Sequence, residues 1–402
     1  VPIPPRDAAS SSLSSGCENS PTIVHVELGT RSYPIVIVSD ETRPDSAGES
    51  GLDFPSFFLK TLGDCTHVVL IEDAAVAATA GQTIVDALGG SSETPSILRV
   101  SRIEIASGET SKSTDVIDRL WNELIECEAD RRTVVIAVGG GVVGDLAGFA
   151  AATFTRGLRF VQIPTTLLAM VDSSVGGKTG INLPGGKNMV GSFWQPHLVW
   201  IETGFLATLP EREYVSGLAE VIKYGVVEDA EFFEYLDSNI AAIVAREPGP
   251  IRHAIAKSCQ SKSRVVADDE RETTGRRAIL NYGHTFAHAI ESSAGYGVML
   301  HGEAVAIGMQ MAAHVAVALG RCDQELLDRQ TRLLHAAKLP LVWAAADPQQ
   351  MIPVMARDKK VAHGKLRFVL PDSIGHVELV GDVPIDKVIA AIEACRMEAK
   401  PR

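Results

Sequence analysis

The sequence predicts an α/β, Rossmann-like nucleotide-binding domain over residues 21–199, then a mainly α-helical domain over 200–402, with the active site in the cleft between them. Three observations carry this. Strand-like and helix-like segments alternate as far as about Trp200, and almost every later segment has helical periodicity. The third is the run Val134–Pro196, VVIAVGGGVVGDLAGFAAATFTRGLRFVQIPTTLLAMVDSSVGGKTGINLPGGKNMVGSFWQP. An apolar strand there meets three consecutive glycines, then Gly144-Asp145 and a small-residue helix. Glycines at a strand-to-helix turn let backbone N–H groups approach a phosphate, and the helix N-terminus adds partial positive charge.

In chain order, residues 1–20 are rich in Pro, Ser and Ala without periodicity and read as a disordered leader. They lack the charged and apolar regions of a secretory signal and suit either an organellar presequence or an untargeted tail. Thr22–Leu28 and Tyr33–Val38 alternate like paired strands. Val68–Ile71, Ile103–Ile105, Val134–Val138 and Phe160–Ile163 read as buried strands separated mostly by helices. Helices are expected over Gly217–Val226, Ala230–Val244, Arg252–Val266, Asn281–Ala294, Glu303–Leu319 and Asp323–Ala337. The apolar Glu303–Leu319 segment carries Gln310 and His314, so it reads as a buried core helix rather than a membrane span. Lys365–Leu370 and Val377–Leu379 can pair as strands before a last helix from Ile385.

Composition narrows the function. The 402-residue chain is 46% apolar and 22% charged, with a net charge of −13 that argues against nucleic acid or an anionic membrane as partner. A phosphate must then be met by a local basic cluster, which gives weight to Gly176-Gly177-Lys178 and Gly185-Gly186-Lys187-Asn188. The six cysteines (Cys17, Cys65, Cys127, Cys259, Cys322, Cys395) are scattered, as expected of reduced thiols in the cytoplasm.

Gly139, Gly141 and Gly144 fit G-x-G-x-x-G, but the acidic residue expected about twenty positions on to hold a ribose is missing, since that position falls near Pro164. By itself the motif equally describes a tight turn with a helix packed close on its strand. The helical half carries a second constellation, which makes it the metal-binding domain. His284 and His288, four apart on one helix face, suit two ligands of one zinc, although such a pair is also common without metal. Glu220 and Lys223 share another helix face, while Arg277 and Asn281 precede His284 and His301 follows it. Burying so many polar groups without a ligand is costly. Spacing alone leaves open which histidines coordinate.

GGGVVGD, Arg156-Gly157, IPTTLLAMVDSSVGGKTGIN, GKNMVG, SGLAEVIKYG, LNYGHTFAHAIE, HGEAVAIGM and Asp358-Lys359-Lys360 occur here in an order that resembles the 3-dehydroquinate synthase family of sugar-phosphate cyclases, from about Thr22 to Val383. The resemblance implies a phosphate-eliminating carbon–oxygen lyase of the shikimate pathway, which leads to chorismate and the aromatic amino acids. It converts 3-deoxy-D-arabino-heptulosonate 7-phosphate to 3-dehydroquinate and phosphate, with NAD and a divalent metal (Zn2+ or Co2+). NAD takes hydride from C5 while the metal polarises the C5 hydroxyl, and the resulting ketone acidifies C6–H so that phosphate leaves by β-elimination. Hydride returns to C5, the ring opens, and an intramolecular aldol step closes the carbocycle.

The resemblance also implies site residues. The metal ligands fall on Glu220, His284 and His301, and His288 faces the substrate phosphate instead. NAD lies along Gly139, Gly140 and Gly141, with Asp73, Glu109 and Lys112 near adenosine. Asp145, Thr165, Thr166 and Asp172 take the pyrophosphate and nicotinamide portions, with Lys178 and Lys187 close by. Substrate contacts fall on Asp172, Lys178, Lys187, Asn188, Lys223, Lys262, Arg277, Asn281, His288 and one of Lys359 or Lys360. Arg156 matches an arginine donated across a homodimer. The loop Glu272–Arg277 is one residue longer than in the family, so Arg276 is the alternative to Arg277. Rival readings are a sister cyclase acting on another sugar, a metal-dependent glycerol or alcohol dehydrogenase, and a non-catalytic NAD-binding regulator.

Overall fold

The computed structural model describes residues 21–39, 53–89, 98–295, 298–358 and 366–396. The proposed leader, Cys17, Lys359 and Lys360 lie outside the described residues. Strands β1 (Thr22–Val26) and β2 (Tyr33–Val38) pair antiparallel, as their alternation predicts. Helix α1 (Phe54–Leu62), β3 (His67–Asp73), α2 (Gln82–Gly89), β4 (Arg99–Ile105), α3 (Thr114–Glu126), β5 (Thr133–Gly139), α4 (Gly141–Thr153) and β6 (Arg159–Pro164) then alternate. A hairpin, β7 (Lys178–Leu183) and β8 (Gly186–Phe193), precedes β9 (Leu198–Glu202).

These strands, the hairpin apart, form one seven-stranded sheet of order β1-β2-β9-β6-β5-β3-β4, parallel except at β1. Every residue of β5 is buried, as a parallel strand covered on both faces requires. Phe54, Phe58, Ile84 and Leu88 of α1 and α2 cover one face, and Ile117, Leu120, Val143 and Leu146 of α3 and α4 the other. β9 runs across the expected 199/200 division, so the sheet is completed within the first residues assigned to the second domain.

The second half contains α5 (Glu211–Val227), α6 (Ala230–Val244), α7 (Pro248–Asp268), α8 (His284–Ala294), α9 (His301–Ala318), α10 (Gln324–Ala336), α11 (Pro348–Asp358), the paired strands β10 (Arg367–Ser373) and β11 (His376–Gly381), and α12 (Ile385–Ala394). Helix α9 is Ala-, Gly- and Met-rich and buried nearly all round, the pattern of a central core helix. Its buried Gln310 is satisfied by Gln330 and Thr331 at 2.8 and 2.7 Å. No described helix is long and apolar enough to cross a membrane.

Two local expectations are corrected. Asn281–Ala294 is not one helix: a 3-10 turn, Arg276–Asn281, ends at a break, and α8 begins at His284. The break is Gly283, at φ +79°, where an added Cβ would lie 2.8 Å from Met309 of α9. Gly185-Gly186, read only as flexible backbone beside a lysine, also closes an unexpected hairpin, β7–β8, and still lines the cavity at the carboxyl ends of the sheet strands.

Candidate active site

A cavity of about 1790 Å³ opens at the carboxyl ends of the sheet strands and reaches the helical half. That is where an open α/β sheet offers ligands the ends of its strands. Asp73 ends β3, Ser107 and Glu109 follow β4, Gly140 and Gly141 follow β5, and Thr165 and Thr166 follow β6; all line it. Helix α4 starts with no side-chain cap, and its first residues, Gly141 and Val142, line the cavity together with Gly140. The anchors around it are ordered by hydrogen bonds. Asp73 Oδ1 accepts from Ala75 N at 2.9 Å and from Ser107, and Thr166 Oγ1 accepts from Ala169 N at 3.1 Å.

Lys112 is buried at the end of a 3-10 turn and pairs with Asp145 at 2.6 Å and with Asn188 of β8. Burial pushes the Asp145 carboxyl up against the opposing pull of Lys112. Asp172 lies within a wide (π) helical turn, Ala169–Ser173, and accepts from Tyr224 at 2.8 Å and Lys262 at 2.6 Å. Burial opposes its ionisation, but the charges of Lys262 and Lys223 prevail and hold the carboxyl well below the usual range. Burial in turn pulls Lys262 down, against Asp172.

Deeper in the helical half, Glu220, His284 and His301 form the cluster of possible metal ligands found among the described residues. Glu220 is fully buried, and its Oε1 accepts no hydrogen bond while lying 3.6 Å from Nε2 of both His284 and His301. Two ligands at about 2.0–2.1 Å from a tetrahedral zinc lie roughly 3.3–3.4 Å apart. The donor set and the orphaned oxygen therefore fit a divalent metal. Lys223, one turn along α5, pairs with Oε2. Burial opposes ionisation of Glu220, yet the Lys223 charge holds it down at about 2. His284 donates Nδ1–H to the Tyr282 carbonyl at 3.1 Å, which leaves Nε2 as the lone-pair nitrogen. Burial and then Lys223 lower its pKa to about 3, so the ring is neutral, the form that binds metal.

His288, the other member of the spaced pair, stands apart from this cluster. Its ring centroid lies 5.8 Å from that of His284, perpendicular to it, and it lines the cavity outside the ligand cluster. His301 joins instead through helix contact. Gly302 N donates to Ser216 Oγ at 3.0 Å, and a Cβ on Gly302 would lie 1.8 Å from the Ser216 carbonyl oxygen. Only glycine lets the start of α9 sit this close to α5, one turn before Glu220.

The remaining candidates divide by place. Lys187, Asn188 and His288 line the cavity. Lys223, Lys262 and Arg277 are buried behind it, and Asn281 is exposed at the end of its 3-10 turn. Arg277 donates to the carbonyls of Glu270 at 2.7 Å and Gly176 at 3.3 Å, against the turn that leads to Lys178. Arg276 points away and pairs with Glu228 at 2.7 Å. Lys178 is half exposed and pairs with Glu272. Arg156 is exposed at φ +68° and does not line its own chain's cavity. Phe205 and Thr208 line it without any sequence signal having marked them, and Glu291, the last residue of LNYGHTFAHAIE, lines it without having been given a role.

The family models for the 3-dehydroquinate synthase N-terminal and C-terminal regions match residues 102–216 and 217–361. A 3-dehydroquinate synthase of Rhodopirellula baltica is 64% identical over 375 residues, 93% of this chain and 98% of that protein. The 2-epi-5-epi-valiolone synthase of Streptomyces hygroscopicus, solved with NAD+ and Zn2+ bound, superposes with a TM-score of 0.77 at 29% identity, covering 88% of this chain and 99% of that one. A 2-deoxy-scyllo-inosose synthase, complexed with carbaglucose-6-phosphate, NAD+ and Co2+, gives a TM-score of 0.80 at 23% identity over 93% of this chain and all (100%) of that one, and so shares the fold. Two adjoining family regions that meet at residue 216/217, and a relative aligned over nearly its whole length, establish that the chain belongs to the 3-dehydroquinate synthase family.

Proposed function

We propose that the protein is a 3-dehydroquinate synthase, which converts 3-deoxy-D-arabino-heptulosonate 7-phosphate to 3-dehydroquinate and phosphate, and that it works as a cytoplasmic homodimer. The observation that carries this is one cavity lined by an uncapped helix N-terminus, a lysine-bearing hairpin and His301, the outermost residue of the Glu–His–His cluster. NAD along Gly139–Gly141 would accept and return a hydride, and a divalent metal on Glu220, His284 and His301 would polarise the reacting hydroxyl.

The chain's own groups do the rest. Asp73 and Glu109 hold the adenosine end, and the α4 N-terminus, with Thr165 and Thr166, receives the pyrophosphate. Lys187, Asn188 and His288 take the substrate phosphate from the cavity side, and Lys178 approaches it behind Arg277. Lys262 and Tyr224 keep Asp172 ionised and fixed in direction, which orients substrate hydroxyls next to the nicotinamide position. Once the phosphate is held beside the acidified C6–H, its own oxygen is placed to take that proton as it leaves.

The cycle returns the cofactor to its starting state, which separates this reading from a dehydrogenase. Purified protein given the heptulosonate phosphate, zinc and substoichiometric NAD should release phosphate many fold in excess of NAD, with no accumulating NADH absorbance. Stoichiometric NADH would overturn the reading and favour alcohol oxidation.

A further inference from the structure

Glu291 lies on α8, three residues after His288 and seven after His284, on the stripe of that helix that faces the cavity. Its side chain is only 11% exposed, and its two oxygens face different partners. Oε1 accepts from Lys187 Nζ at 3.3 Å. Oε2 lies 3.7 Å from His301 Nδ1, the ring nitrogen opposite the Nε2 that faces Glu220. One carboxylate thus links the β7–β8 hairpin to the first residue of α9.

An imidazole that binds metal through one nitrogen needs its other N–H held, because that contact fixes both the tautomer and the ring plane. For His284 the Tyr282 carbonyl does this. For His301 the group in place is Glu291.

We propose that Glu291 is a positioning residue: Oε2 receives the Nδ1–H of His301 and so presents Nε2 to the metal, while Oε1 keeps Lys187 directed into the cavity. The inference rests on the metal site of the proposed function. It makes metal retention and the placement of a substrate-binding lysine depend on the same carboxylate.

Zinc affinity of purified wild-type, Glu291→Ala, Glu291→Gln and Glu291→Asp proteins, measured by chelator competition, tests this together with the visible spectrum of the cobalt-loaded forms. Glu291→Ala should weaken zinc binding about 10–100-fold and shift the cobalt spectrum. Glu291→Gln should recover most of both, because its amide oxygen still accepts from Nδ1–H. Glu291→Asp keeps the charge but falls short of the ring, so it should resemble Ala. Wild-type zinc affinity and an unchanged cobalt spectrum in Glu291→Ala overturn the proposal. If that protein does not fold, judged by its melting in chelator, the same two results in Glu291→Asp overturn it. Failure of the metal site itself would look different: the wild-type protein would bind no zinc, or His301→Ala would lose none.

Discussion

Glu220 sits fully buried, its charge stabilised by Lys223 at Oε2, while Oε1 is short of a donor and faces the two imidazoles. Glu220→Ala, His284→Ala and His301→Ala should each lose bound zinc, by more than the roughly 10–100-fold expected of an outer partner. His288→Ala should keep its zinc and fail with the phosphorylated substrate. Metal analysis after gel filtration reads the difference, and zinc loss in His288→Ala with retention in His301→Ala would reverse the assignment. The i,i+4 histidine pair is what a sequence displays most openly, but the structure clusters His284 with His301 and Glu220. His301 lies 17 residues beyond His284, and its place depends on Gly302 meeting Ser216, a contact between helices that no local pattern encodes. Family resemblance named His301 where spacing could not.

Among the elements, the strands and most helices were legible because a parallel sheet buried on both faces produces short apolar runs, and the amphipathic helices show their own period. The β7–β8 hairpin was not, since glycines and lysines there read as loop chemistry. Nor was the break before α8, because LNYGHTF keeps a helical look while Gly283 turns left-handed against Met309. The turn leading into that break has a measurable pH signature. Asp269 is buried at the end of α7, and its carboxylate accepts from Thr273 N at 2.8 Å, Thr274 N at 3.1 Å and Arg277 N at 3.2 Å. Burial opposes its ionisation, but these backbone donors bring its pKa from 3.8 to about 2. A folded-state pKa below the unfolded one gives stability that is complete above about pH 4 and lost as pH falls toward 2. Asp269→Asn should therefore cost about 2 kcal/mol at pH 7, and the gap in urea midpoint should narrow between pH 4 and 3. A gap that stays constant over that range would mean that shape, not charge, holds the turn.

At the scale of the whole molecule, Arg156 is exposed and does not line the cavity of its own chain. If it serves a two-fold partner, Arg156→Ala and Lys178→Ala proteins should each be nearly inactive, while a mixture that exchanges subunits regains activity. In a mixed dimer one site lacks both groups and the other has both. Random pairing makes about half the dimers mixed, so the activity should reach about a quarter of wild type. No recovery, with exchange shown independently, would place Arg156 within its own subunit.

The position of β9 bears on how the chain is made. Strand β2 joins the sheet only through β9, and β9 is synthesised more than 150 residues later. Val24, Val26, Tyr33, Ile35 and Ile37 of the first two strands pack in the same core as α5, α7 and α9. On the ribosome, β3 to β6 can assemble as a nascent sheet with α1 to α4, while the first hairpin must wait with its apolar face uncovered. That exposure ends only when β9 and the helices beyond it have left the exit tunnel. A chain released after β9 but before α7 would carry a completed sheet whose first two strands keep their apolar face uncovered, a natural target for a chaperone.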